Sequence, residues 1–240
     1  MDEFAAAIER LRRAPSTRRR LTVSTTNAFA ARCLVPMLPL WRREYPNIEL
    51  AVTGTDAVVD LRSGQADVSL RYAREAPRDG VSEELVRDRF HVVAAPSLLS
   101  SAGRKSWLNL PRIAYDWLPG DKLAPTWDRW DLMAGTNRRG RAGVAMHFHE
   151  ELHAIEAVIA GQGVAICSDL LVNDALASGA LRSLSDVTLD GYGIYLVTLR
   201  ERARVAPIRQ FCDWIRGMYS EGRTRSSTWR GPQSQLTSRA

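Results

Sequence analysis

Three short apolar stretches near the start of the chain, 21–24, 48–53 and 67–71, are separated by segments with helical spacing, and that alternation narrows the possible folds most. Between the first two, residues 28–45 place Phe29, Leu34, Leu38 and Trp41 on one side of a predicted helix. Pro36 is expected to break or restart this helix, because proline has no N–H to donate and its ring crowds the preceding turn. Pro46-Asn47 ends it. A short helix over 58–63 should precede the third strand and close at Gly64, since glycine tolerates the left-handed conformation of a helix end. Strand–helix–strand–helix–strand order implies an α/β fold with a mainly parallel sheet and helices on its faces.

A second series follows. Residues 85–95 read as extended, 112–114 as a strand, and an aromatic-rich segment then carries Trp127 and Trp130, which read as packing anchors. Strands over 143–148, 164–167 and 193–199 alternate with helices over 150–160, 169–177 and 206–218. At the start, Phe4, Ala5, Ile8 and Leu11 repeat at helical spacing before Pro15 and an arginine run. Residues 220–240 are rich in Ser, Arg, Gly and Gln without an apolar period, so a disordered tail is expected there.

The sequence pI near 9.6 raises the question of nucleic acid. The formal charge is +6, but residues 1–20 and 221–240 each carry a surplus of three, so residues 21–220 sum to zero. A DNA-reading face would put its surplus on the folded body instead. No apolar run approaches the roughly 20 residues of a membrane span, and the acidic start Met1-Asp2-Glu3 does not read as a secretory signal. Cys33, Cys167 and Cys212 are odd in number and far apart, which fits buried free thiols in a reducing cytoplasm.

The stretches Leu21-Thr-Val-Ser, Phe29-Ala-Ala-Arg, Leu34-Val-Pro and Tyr45-Pro-Asn-Ile-Glu-Leu stand in an order that resembles the effector-binding domain of LysR-type transcription regulators. So do Val59-Asp-Leu-Arg-Ser-Gly-Gln-Ala-Asp-Val-Ser-Leu-Arg-Tyr72, Val93-Ala-Ala-Pro-Ser-Leu98, Ala160-Gly-Gln-Gly-Val-Ala-Ile166 and Leu176-Ala-Ser-Gly-Ala-Leu181. The resemblance runs from about residue 21 to 218, nearest the branch with glycine-cleavage activators and β-lactamase regulators. It implies a two-lobed fold like that of type 2 periplasmic binding proteins, with a small-molecule effector between the lobes. Lobe I would be residues 21–94 plus 200–219, lobe II residues 95–199, with crossings near 94–97 and 198–200. Residues 1–20 would be the end of a linker helix and a linker. The family's helix-turn-helix is expected to be absent from this chain, so DNA would be met only through it. A homodimer or homotetramer is expected, with the 29–45 helix as a dimer surface, and neither a cofactor nor a membrane partner.

In such folds ligands meet the carboxyl ends of strands. Thr25, Thr26 and Asn27 follow the first strand, and they either cap the next helix or touch effector. Thr55 and Asp56 follow the second strand, and Arg71 and Tyr72 end the third, where the arginine could pair with a carboxylate. In the second series His147, Phe148 and His149 precede a helix. The resemblance implies a cleft position for them, although the two histidines with Glu150 and Glu151 depart from the family's polar run. Carboxylates facing the cleft would suit an amino-bearing effector better than a simple carboxylate.

His149-Glu150-Glu151-Leu152-His153 is also a literal H-E-x-x-H, the helical zinc-hydrolase motif with two histidines one turn apart. A zinc-binding protein or metal sensor is therefore one alternative, and a stand-alone solute-binding protein is another. No His follows His153, and neither a Gly-x-Ser-x-Gly elbow nor a phosphate-binding glycine loop is present, so the chain does not read as an enzyme.

Overall fold

The computed structural model describes residues 19–102, 107–136 and 142–223. The expected helix at 2–13 lies outside the described residues, as does the expected tail at 220–240 except for 220–223, which are helical and continue the last helix instead. Strand β1 (Arg19–Thr25) leads into a helical segment whose first turn is Asn27–Phe29 (α1). A wide π turn, Ala30–Leu34, follows before the helix resumes at Val35–Glu44 (α2). The expected interruption is thus a widened turn. The Val35 N–H reaches back five residues to the Ala30 carbonyl, just ahead of Pro36, which has no N–H to continue the ladder.

Strand β2 (Ile48–Gly54) is parallel to β1 in register Leu21↔Leu50, and β3 (Val68–Ala73) is parallel to β1 on the other side. The predicted helix over 58–63 is only a 3₁₀ turn, Leu61–Ser63, closed by Gly64 at φ 75°. Strand β4 (Val81–Ala94) is longer than the apolar pattern indicated, because its first residues alternate with exposed charges. Helix α3 (Pro96–Ala102), which the sequence reading did not include, follows.

The second series contains β5 (Arg112–Tyr115), α4 (Trp127–Met133), β6 (Val144–Phe148), α5 (Glu151–Ile159), β7 (Val164–Ser168) and α6 (Asp169–Ala177). The two-residue β8 (Arg182–Ser183), β9 (Leu189–Thr198) and helix α7 (Ala206–Arg223) complete it.

The strands form one sheet in the order β2-β1-β3-β9-β4-β7-β5-β6, with β8 on β4. Two parallel trios, β2-β1-β3 and β7-β5-β6, are joined by the antiparallel pair β4 and β9. Residues 193–198 of β9 pair with β3, and residues 90–93 of β4 pair with β7. The handover between trios therefore falls near 87–93 and 189–193.

The first trio is covered by a core of Phe29, Leu34, Met37 and Trp41 packed against Phe211, Trp214 and Ile215. The second is buried on both faces, so β7 reads as an unbroken apolar run rather than an alternation. Ala165 and Cys167 meet Ile155 and Val158 on one side, while Val164 and Ile166 meet Trp127 and Trp130 on the other. The two tryptophans are core anchors: their indole N–H groups donate to the Ile113 and Val187 carbonyls at 2.9 and 3.3 Å. Beside them the Arg112–Asp131 ion pair is bidentate at 2.8 and 2.9 Å, with its guanidinium over the Trp127 ring. Cys33, Cys167 and Cys212 are buried free thiols, and burial pushes all three up.

Candidate functional site

Parallel strands carry their loops away at their carboxyl ends, and in this sheet those ends converge from both trios. Between them lies a cavity of about 370 Å³. The first trio contributes Thr26, Asp56 and Tyr72, and the second contributes Tyr115, Asp116, Trp117, His149, Glu150, Glu151 and Ser168. The joining strands contribute Asp88 and Tyr192.

One wall is aromatic. Trp117 lies 6.1 Å from Tyr72, 6.4 Å from Tyr115 and 6.1 Å from Tyr192, ring centre to ring centre. Asp121 fixes two of these rings. It accepts the Trp117 indole N–H at 2.7 Å and the Tyr192 hydroxyl, and it accepts the Leu123 N–H at 2.9 Å.

The floor is acidic. Asp88 is 1% exposed. It accepts the Tyr72 hydroxyl and the Arg89 N–H at 2.9 and 2.8 Å. Burial pushes it up to about 7. Glu151 accepts the Ser168 N–H at 2.9 Å, and burial, with Asp88 nearby, pushes it up to about 8. Gly191 permits the close approach of the two joining strands: a Cβ there would come within 2.9 Å of the Tyr72 hydroxyl and 2.8 Å of the Phe90 ring.

A second hollow of about 360 Å³ opens on the first trio alone, lined by Thr25, Thr55, Val59, Ser69, Arg71 and Asp79 among others. Thr26, Asp56 and Tyr72 border both spaces. Its cation is already engaged. Arg71 pairs with Asp79 at 2.6 Å and donates to the Val59 carbonyl at 2.9 Å and to Ser69 at 3.3 Å.

The residues singled out from sequence therefore divide three ways. Thr26, Asp56, Tyr72 and His149 reach the larger cavity; Thr25, Thr55 and Arg71 face the second hollow. Asn27, His147 and Phe148 line neither: Asn27 donates to Asp56, Phe148 packs into the core of the second trio, and His147 meets Asp116 at 2.6 Å. Thr26 also caps the helix by accepting the Phe29 N–H, the first of the two readings of that loop, while bordering the larger cavity. Sequence reasoning missed Asp88, Tyr115, Asp116, Trp117 and Tyr192, whereas Glu150 and Glu151 read as carboxylates that could face the cleft, and both line the cavity.

The H-E-x-x-H spacing is not realised on a helix. Helix α5 begins at Glu151 with Glu150 as its cap, so His149 precedes it and contacts Asp116, while His153 sits 6.4 Å from the Phe148 ring. Among the described residues no group of three or more His, Cys, Asp or Glu side chains is arranged to hold a metal ion. Nor is any helix among them long and apolar enough to cross a membrane.

Residues 14–220 match the family model described as "LysR substrate binding domain". The chain is 27% identical over 203 residues to the glycine cleavage system transcriptional activator of Escherichia coli K12, covering 84% of this chain and 66% of that protein. It thus spans just under two thirds of that relative. The effector domain of the transcriptional regulator AmpR of Pseudomonas aeruginosa has the same fold, with TM-score 0.67 at 22% identity over 86% of this chain and 98% of that one. CrgA, a LysR-type transcriptional regulator from Neisseria meningitidis, superposes with TM-score 0.66 at 22% identity over 90% of this chain and 74% of that one.

Proposed function

Because the chain belongs to the LysR substrate-binding-domain family, we propose that it senses a small molecule in the larger cavity, between its two lobes, and passes that binding to a DNA-reading domain. One observation carries this reading: the cavity is walled by the carboxyl ends of both parallel trios and by both strands that join them. A ligand there touches both lobes at once. It binds the closed arrangement better than the open one, and that difference in binding free energy is what can shift a regulator between states.

The strand pairing favours lobe boundaries near 87–93 and 189–193, somewhat earlier along β4 and β9 than the expected crossings at 94–97 and 198–200. Arg32 on the π turn of the first lobe and Glu156 on α5 of the second pair at 2.5 Å, which fits a closing contact. The action is binding rather than chemistry: among the described residues of the cavity no side chain stands beside a base as an activated nucleophile. We further read the full regulator as a homodimer or homotetramer that meets DNA through a helix-turn-helix domain.

The test is a thermal-shift screen of amino acids, aromatic acids, amines and cell-wall fragments, followed by titration calorimetry on the hits. A hit that is lost on Trp117→Ala and kept on Arg71→Ala supports the assignment. Hits indifferent to Trp117 but lost with Thr25 or Arg71 variants would move the effector to the second hollow.

A further inference from the structure

Given the effector reading of the larger cavity, on which this rests, we propose that its ligand is an organic cation, an ammonium compound held against the Tyr72–Tyr115–Trp117–Tyr192 wall. The charge of the lining is one-sided. Five carboxylic residues, Asp56, Asp88, Asp116, Glu150 and Glu151, line the cavity, and among the described residues no lysine or arginine does. Among them His149 is the one basic lining residue, and it is occupied: with His147 it shares the Asp116 carboxylate. Arg71 is turned to Asp79 and Arg32 to Glu156, while Arg74 acts on Asp121 and Tyr192 at the aromatic wall rather than on the floor.

Aromatic faces sharpen the same preference. The face of an aromatic ring carries negative potential, so it attracts an ammonium group and repels a carboxylate. Here three tyrosine rings converge around Trp117, and Asp121 holds Trp117 and Tyr192 in place. The Tyr115 hydroxyl oxygen is buried on this wall beside Glu151 and makes no hydrogen bond of ordinary geometry.

The floor lacks a countercharge. Every donor to Asp88 is neutral: the Tyr72 hydroxyl, the Ser168 side chain and the Arg89 and Leu170 N–H groups. Buried Asp88 and half-buried Glu151 have no cation partner among the described residues, which makes their ionised forms costly, and both are displaced upward accordingly. An ammonium group entering above them supplies the missing charge. A carboxylate ligand would instead hold both acids in their protonated form and gain no charge pairing from them.

Three probes of one shape separate charge from fit: choline, the neutral 3,3-dimethyl-1-butanol and the anionic 3,3-dimethylbutyrate, each titrated into the whole chain by calorimetry. Choline should bind at least roughly tenfold more tightly than either isostere. Glu151→Gln keeps the shape of the side chain, and its folding is checked by thermal melting. It should collapse the preference for choline over the alcohol to about twofold, whereas Arg71→Ala should leave that preference intact. Tightest binding of the butyrate, no binding of choline at roughly 10 mM, or a preference unchanged in Glu151→Gln overturns the cation assignment. The effector reading fails separately, if hits of any charge from the wider screen ignore Trp117→Ala.

Discussion

The molecule carries two hollows of almost equal size that share Thr26, Asp56 and Tyr72 as a common wall. The one on the first trio is furnished with hydroxyls and an arginine, the groups that would suit an anion, yet its arginine is bound by Asp79, Ser69 and Val59. The one between the trios is furnished with aromatic rings and carboxyls, and its two innermost acids have no cation. What distinguishes a binding site from a dent is therefore unspent interaction. In the first hollow the charge is balanced internally, and in the second it is not.

The largest effect that would sharpen this contrast is expected at Trp117. Trp117→Ala removes the ring that the other three surround, and cation–π contact in a desolvated site is worth about 2 kcal/mol, so ligand affinity should fall roughly 30-fold. Calorimetry on the variant measures it.

The pH dependence of stability comes next. Asp88 and Glu151 hold protons in the fold up to about pH 7 and 8, whereas unfolded carboxylates release theirs near pH 4. Their contribution to stability is complete below about pH 4 and is lost as pH rises through the folded values. The groups that face them from neighbouring elements are Tyr72, Tyr115, Cys33 and Tyr219, and burial pushes each of these up as well. Melting temperature should thus fall between pH 5.5 and 8.5, and the Asp88→Asn/Glu151→Gln double variant should flatten that fall. A rise in melting temperature over the same range would contradict the picture of an uncompensated floor.

Arg71→Ala is the reciprocal probe. It breaks an ion pair whose guanidinium is buried but whose carboxylate is substantially exposed, and leaves the Asp79 carboxyl without the partner that now holds it below the usual carboxylate range. Solvent screening of the exposed carboxylate limits the cost to about 1 kcal/mol, a few degrees of melting temperature for a chain of this size, with ligand affinity unchanged within about twofold. The smallest effect belongs to Thr25→Val. The Thr25 hydroxyl is buried without a partner, so its removal should change stability by less than about 1 kcal/mol and binding not at all.

Much of the fold was legible because period and punctuation are local. The strands of both trios, Gly64 as a helix end and the widened turn before Pro36 follow from residues a few positions apart. The joining strands were less legible, since β4 begins in Val81-Ser82-Glu83-Glu84, where half-exposed charges hide the extended backbone. The site was less legible still. Thr26, Asp56 and Tyr72 could be named because strand ends are predictable. Asp88 was masked by Arg87 and Arg89, although strict alternation places it on the same inward face as Phe90. Tyr115 ends, and Asp116-Trp117 follow, a strand of only four residues, too short for its end to stand out. His149 and His153 mislead in the opposite direction, because the helix that would align them starts two residues too late.

The most direct test of the central claim is hydrogen–deuterium exchange with and without a ligand found by the screen. Binding between the lobes should protect 115–118, 149–151 and 190–193 together, since these segments wall the cavity from three different elements. Protection confined to 55–59 and 75–79 would place the ligand in the hollow on the first trio and contradict the account.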